Sequence, residues 1–251
     1  MNKKELEKTF GLYQNTVNHC QFEEETLKRH FSIIKENLAG KKILEVGCGV
    51  GTFSMLISSC TKDLTIIDGS QGCLDHTKQK LENSNADMSS IKFIESLWGE
   101  FDSDEKYSDI IFLRGAEHID DPAIVINSLK KFLLPKGRFH ISVPNGRSFH
   151  RKVGVHLDLL DIPESFTEGD YSVGHRHVFD YWTLRNILVN ECQMNIKDFK
   201  GVMMKFLSNA QMNKLFVKYP NLPLALHQAA QETPHVCAEI YFCVVKNEEN
   251  I

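Results

Sequence analysis

Short apolar runs alternate with amphipathic stretches through the first 145 residues of the chain. In FEEETLKRHFSIIKENLAG, the apolar residues Phe22, Leu27, Phe31, Ile34 and Leu38 recur at helical spacing and Gly40 marks a stop. The pattern predicts a helix with that stripe turned inward. KKILEVG then reads as a short buried strand, GTFSMLISSC as a helix, DLTIIDGS as a second strand, and GCLDHTKQKLENSN as a helix with a polar face. IKFIES, YSDIIFLRG and GRFHISVPN supply three further strands. Between the last two, DDPAIVINSLKKFLLPKG predicts a helix with Asp121 as N-cap, Pro122 in the first turn and Pro-Lys-Gly as its stop. Strands and helices alternating at this spacing predict an α/β fold with a doubly wound, mostly parallel sheet.

Residues 146–174 break the rhythm with a long connection that has no clear periodicity, as expected of a lid or binding loop. FDYWTLRNILVNEC resumes as a helix in which Phe179 and Trp182 are expected to face the core. MNIKDFKG reads as a weak strand, SNAQMNKLFVKY and LPLALHQAAQ as extra helices, and HVCAEIYFCVVK as a strong final strand.

Composition narrows the class without naming a function. A chain of 251 residues with 42% hydrophobic and 25% charged positions suits one globular domain, and a net charge of −4 argues against nucleic acid or an anionic membrane as partner. The seven cysteines are odd in number and contain no Cys-x-x-Cys pair, which fits a reducing cytoplasm better than a disulfide scaffold or zinc knuckle. MNKKELEKTF has no apolar core of a signal peptide, and no apolar run approaches membrane-spanning length. A monomer or homodimer acting on a small molecule is expected.

ILEVGCGVGTFS carries the chemistry. It lacks the Gly-Lys-Ser/Thr ending of a phosphate loop. Gly47, Gly49 and Gly51 are spaced G-x-G-x-G, and Thr52 stands where a dinucleotide fingerprint has its third glycine. Asp68, at the end of the second strand, suits ribose hydroxyls in either case. Glu45 discriminates: an acid at the strand end sits badly beside a pyrophosphate and well beside a cationic ligand. S-adenosylmethionine (SAM) carries a sulfonium and an ammonium and no phosphate, so SAM is the expected cofactor. A nicotinamide-dependent oxidoreductase is the competing class, and a catalytically silent SAM-binding protein is a third.

At these residues the chain resembles a family. ILEVGCGVGTFS, IIDGS, YSDIIFLRGAEHIDDP and GRFHISVPNG are similar to the successive motifs of class I SAM-dependent methyltransferases, over roughly residues 25–245. RGAEHIDDP resembles a loop of the branch related to quinone biosynthesis. PNGRSFHRK, GHRHVFDYWTLRNIL and CAEIYFCVV resemble a bacterial subgroup acting on small molecules of cell-surface or secondary metabolism, including capsule modification at an O-methyl phosphoramidate precursor. The resemblance implies a Rossmann-like seven-stranded sheet of order 3-2-1-4-5-7-6 with strand 7 antiparallel. It implies one domain over residues 1–251, with an N-terminal helical cap (1–39) and a lid (146–174). Gly47, Gly49 and Gly51 would then line the methionine part of SAM, Asp68 the ribose, and Ser70 the adenosine. Leu97 and Trp98 fall in the adenine-contacting segment, where the usual Asp-Ala pair is missing, and Arg114 would meet the methionine carboxylate.

Methyl transfer needs alignment, and a base only where the acceptor keeps a proton. His118, His175 and His177 are candidate bases, and Asn145 is a candidate positioning group. Alternate residues of an extended segment face the same way, so His175 and His177 could point inward together. A zinc pair there lacks a third ligand at typical spacing, and no metal is expected. Arg151 and Arg176 bracket the lid and, if they converge, would hold a phosphate or carboxylate of the acceptor; Lys152 reads as a solvated residue. Tyr13 and His19 lie on a segment that in similar enzymes folds over the cofactor, and Tyr13 is a candidate substrate contact. Cys48 reads as a packing residue. The expected acceptor is an oxygen of a phosphorylated, nucleotide-linked or sugar precursor of bacterial surface polysaccharide.

Overall fold

The computed structural model describes residues 20–247. Its centre is a seven-stranded sheet of order β3-β2-β1-β4-β5-β7-β6. The strands are β1 (Lys42–Val46), β2 (Asp63–Asp68), β3 (Ile91–Glu95), β4 (Tyr107–Leu113), β5 (Leu133–Pro144), β6 (Met194–Val202) and β7 (Glu239–Lys246). Neighbours from β3 to β5 pair in parallel, and β7 runs antiparallel to both β5 and β6. This is the order and the antiparallel strand that the resemblance implied.

The sheet is covered on both faces, which is why its central strands are continuous apolar runs. Side chains alternate across it. Leu44, Val46, Phe112, Phe139 and Phe242 fill one core. Ile43, Ile66, Ile111 and Tyr241 fill the other, beneath α1 (Gln21–Glu36), α2 (Thr52–Ser58) and α3 (Gln71–Asn83). The stripe on α1 differs from expectation: Phe22, Thr26, His30, Ile33 and Ile34 are buried, whereas Leu27 and Phe31 are half-buried. The helix is turned so that His30 Nε2 meets Glu239 Oε2 at 2.7 Å, and that polar contact outranks the apolar count.

Asp121 caps α4 (Pro122–Lys130), its Oδ1 accepting from Ile124 N at 3.1 Å. Pro-Lys-Gly is not the helix stop. The helix ends at Lys130 and these residues lie inside β5, at a register shift opposite Tyr107–Asp109 that absorbs the extra length. The weak strand is a full one, with eight of the nine residues of β6 laddered on β7 around a register shift at Lys197.

Two short helices organise the connection after β5: α5 (Phe149–His156) and α6 (Glu168–Ser172). Periodicity missed them because α6 is set by a capping box between Thr167 and Asp170, a polar signal. Then follow α7 (Tyr181–Asn186), continued as one π turn (Ile187–Glu191), α8 (Asn209–Lys218) and α9 (Leu222–Glu232). Trp182 is 64% exposed, against the expectation of a core residue, while Phe179 is buried. Tyr181, not Trp182, faces the sheet, stacked on Phe242 with ring centroids 5.5 Å apart.

Candidate active site

The glycine loop leaves the C-terminal end of β1, the ligand-binding edge of an open α/β sheet. Gly47, Gly49 and Gly51 have φ of +79°, +52° and +71°, a region that side chains rarely enter. A Cβ on Gly47 would lie 3.1 Å from Cζ2 of Trp98. Trp98 thus covers the first glycine, edge-on to Phe112 at 5.2 Å, with its buried Nε1 unpartnered among the described residues. Leu97, half-buried, opens the turn that carries it.

Two acids stand under this loop. Asp68 closes it: Oδ2 accepts from Cys48 N at 3.0 Å and Gly49 N at 3.4 Å, and Oδ1 from Ser70 N at 2.9 Å. Burial pushes its carboxyl up, and these backbone donors oppose the shift. A carboxylate has about four lone-pair sites, so capacity for a ribose remains. Ser70 is buried and caps α3, accepting from Cys73 N at 3.1 Å. Glu45 is also buried, and its Oε2 has no hydrogen-bond partner among the described residues. Burial lifts its carboxyl to about 8, with the Asp68 charge acting in the same direction. Burial likewise keeps the Cys48 thiol protonated, as befits a packing residue.

A cavity of about 720 Å³ opens between the ends of β4, β5 and β7, the start of α1, and residues 146–178. Arg114 sits at its floor with φ of +52°, a strained backbone for a side chain other than glycine. Its guanidinium bridges Glu23 and Glu239. Burial raises the Glu239 carboxyl, but the Arg114 charge and His30 overcome this and hold it near 2. Arg114 is therefore engaged by two carboxylates of the protein, which must be shared if it also meets a ligand carboxylate.

His175 and His177 line the cavity, and His118 packs against His175. The His118 and His175 rings lie 4.9 Å apart. Burial and the neighbouring His175 press His118 down to about 4. His175 Nδ1 lies 2.9 Å from Asp170 Oδ1. His177 lines the same cavity, with Nε2 3.2 Å from the Asp120 carbonyl and its ring on Phe179. Backbone bonds from Arg176 N (2.7 Å) and His177 N (3.2 Å) to the Glu117 carbonyl tie this segment to the turn after β4.

Several expected roles are redistributed. Arg151 and Arg176 do not converge. Arg151 binds Asp170 and the carbonyls of Pro163 and Ser165, whereas Arg176 turns outward to Asp120. Arg151 is taken by groups of the lid and Arg176 by the connection between β4 and α4, so no paired anion clamp forms. Asn145 gives both amide hydrogens to the carbonyls of His235 and Cys237, each at 3.0 Å, and its oxygen accepts from Arg147 N. It braces the loop and is not free to position an acceptor. Tyr13 and His19 lie outside the described residues.

Pattern reading passed over Glu117, Asp170, His150 and Lys205. Burial raises Glu117 to about 7, and its Oε2 is unpartnered among the described residues. Lys205 lies over the Phe22 ring at 5.4 Å and makes no salt bridge among the described residues; burial lowers its pKa. Burial and the Lys205 charge take His150 down to about 3. Only Glu117 had a sequence signal, as the neighbour of His118.

A family model described as Methyltransferase domain matches residues 19–191. A ubiquinone biosynthesis O-methyltransferase from Pasteurella multocida is 34% identical over 116 residues, 43% of this chain and 48% of that protein. The chain thus spans about half the length of the curated relatives it matches. Among solved structures, N-methyltransferase NodS from Bradyrhizobium japonicum, in complex with S-adenosyl-L-homocysteine, aligns with a TM-score of 0.58 at 15% identity, over 92% of this chain and 91% of that one. Magnesium protoporphyrin IX methyltransferase from Synechocystis aligns with a TM-score of 0.58 at 15% identity, over 90% and 84% of the two chains.

Proposed function

The chain belongs to the methyltransferase domain family, and from that premise we propose that it transfers a methyl group from SAM to an oxygen of a small-molecule acceptor. The observation that carries the reading is Glu45, a buried carboxyl with an unpartnered oxygen at the end of β1, beside the glycine loop. A site of that kind is completed by a positive ligand without phosphate. SAM, when bound, supplies a methyl carbon already activated by sulfonium. Gly47, Gly49 and Gly51 let the backbone approach, Asp68 accepts from the ribose through its remaining lone pairs, and Trp98 with Leu97 borders the adenine. Ser70 serves by holding α3 and Asp68 in place.

The cavity at the ends of β4, β5 and β7 holds the acceptor, and alignment there supplies much of the rate, on the order of 7–11 kcal/mol. Lys205 and His150 at its wall suit an anionic group, taking the part first expected of Arg151 and Arg176. That keeps a phosphorylated, nucleotide-linked or sugar precursor of surface polysaccharide as the proposed acceptor class. His177 is the proposed proton acceptor. If its Nε2–H donates to the Asp120 carbonyl, Nδ1 carries the lone pair. His118 is too weakly basic at about 4, and His175, whose Nδ1 is held by Asp170 and whose Nε2 keeps a lone pair, is the alternative base. In this reading the described residues form one domain, with the start of α1 and residues 146–174 bordering the site.

Calorimetric titration with SAM and with NAD tests the cofactor: saturable NAD binding without SAM binding would sink the reading. Once a metabolite panel has yielded an acceptor, His177→Ala should lower turnover roughly 100- to 10,000-fold while leaving SAM affinity unchanged. Turnover near wild type in both His177→Ala and His175→Ala would mean that the acceptor arrives already ionised and that alignment alone carries the step.

A further inference from the structure

We propose that Glu117, His118 and His175 form a site for one first-row divalent metal ion, of the zinc, manganese or iron class, on the wall of the acceptor cavity. One ligand atom from each residue lies within 4.8 Å of the other two. Ligand atoms sharing an ion sit about 3–4 Å apart, so modest side-chain rotations close the set. Glu117 and His118 stand on the turn after β4, and His175 follows α6.

Two observations converge on a cation. The Glu117 carboxylate is buried with an unpartnered Oε2 among the described residues, and a buried carboxylate is costly unless it is paired or coordinates a metal. Asp170 accepts from His175 Nδ1 at 2.9 Å, which leaves the lone pair on Nε2. Asp170 is itself fixed by Thr167 N at 2.8 Å, the Thr167 hydroxyl at 2.7 Å and Arg151 at 3.3 Å. This carboxylate–imidazole pair is the arrangement that orients metal-ligating histidines.

Two imidazoles and one carboxylate select a transition ion over magnesium or calcium. Three protein ligands leave positions open, and the cavity side of the cluster is where an acceptor oxygen would take one. The ion would also clasp the lid to the sheet, because His175 belongs to the segment already tied by Arg176 N and His177 N to the Glu117 carbonyl. Ion binding can be measured without cofactor or acceptor, so this inference and the methyl-transfer reading fail separately.

The test uses the full chain, stripped with chelator and titrated separately with Zn²⁺, Mn²⁺ and Co²⁺. The expected result is one ion per chain. Glu117→Gln and His175→Gln should each weaken binding by more than about 100-fold, and Asp170→Asn by about 10- to 100-fold. His177→Ala, on the same wall but outside the cluster, should bind the ion as wild type does. Co²⁺-loaded wild type should show weak ligand-field bands without a thiolate charge-transfer band, a readout that holds even if a variant fails to fold. The proposal is overturned if wild type takes up none of the three ions stoichiometrically. Binding undiminished in both folded substitution variants, or a thiolate band, would overturn it as well.

Discussion

Glu45 should make SAM binding release a proton. Burial, reinforced by Asp68, lifts its carboxyl to about 8, so at pH 7 roughly nine in ten ligand-free molecules hold it protonated. A sulfonium and an ammonium alongside favour the carboxylate and bring the group back toward its ordinary range. Binding at pH 7 should then release about 0.9 proton. The dissociation constant should fall about 50-fold from pH 6 to pH 8, equivalent to about 2.3 kcal/mol. Titration calorimetry at one pH in two buffers of different ionisation enthalpy counts the proton directly. Glu45→Gln should bind more weakly, lose most of the proton release and flatten the profile between pH 6 and 8. Linkage fixes the sign in the free protein as well. The folded-state value lies above the ordinary 4.5, so the stabilising contribution is complete below pH 4.5 and is lost as pH rises through about 8. Wild type that releases no proton at pH 7, or Glu45→Gln that releases as much as wild type, would refute the argument.

Glycine substitutions should separate folding from binding. Gly51→Ala puts a Cβ 2.8 Å from Thr77 Oγ1 and 3.0 Å from its Cα, and urea denaturation should show a loss of about 1–3 kcal/mol. Gly49→Ala meets nothing within 4 Å, so it should weaken SAM binding by calorimetry more than it lowers stability. Asp109→Ala orphans Ala39 N, Gly40 N and His140 at the opposite end of the sheet. It should cost about 2–4 kcal/mol in denaturant titrations with little change in SAM affinity. Glu239 is held near 2, below its ordinary 4.5, so its stabilisation is complete above pH 4.5 and is lost as pH falls toward 2; acid unfolding of Glu239→Gln should lack that component.

The elements legible in the chain were those with a local cause. ILEVG and IIDG are apolar because both faces of a parallel sheet are covered, and G-x-G-x-G announces left-handed backbone whatever surrounds it. Glu45 and Asp68 could be placed at strand ends from those runs alone. The sheet order came from resemblance, since periodicity specifies that a strand is buried and not which strand lies beside it. Other features depended on groups distant in the chain. Arg114 is paired with Glu239, 125 residues on, and with Glu23 on α1. Arg151 and Arg176 part because Asp170 engages one and Asp120 the other. Pro-Lys-Gly became part of a strand through its pairing with β4. Glu117, His118 and His175 met only because the lid folds back over the turn after β4. The sequence by itself determined backbone conformation and the inward face of most elements, since these follow from each residue's own sterics and hydrophobicity. The tertiary structure alone decided which charged and hydrogen-bonding groups are partners, because those interactions act through space over a few ångströms and leave no period along the chain.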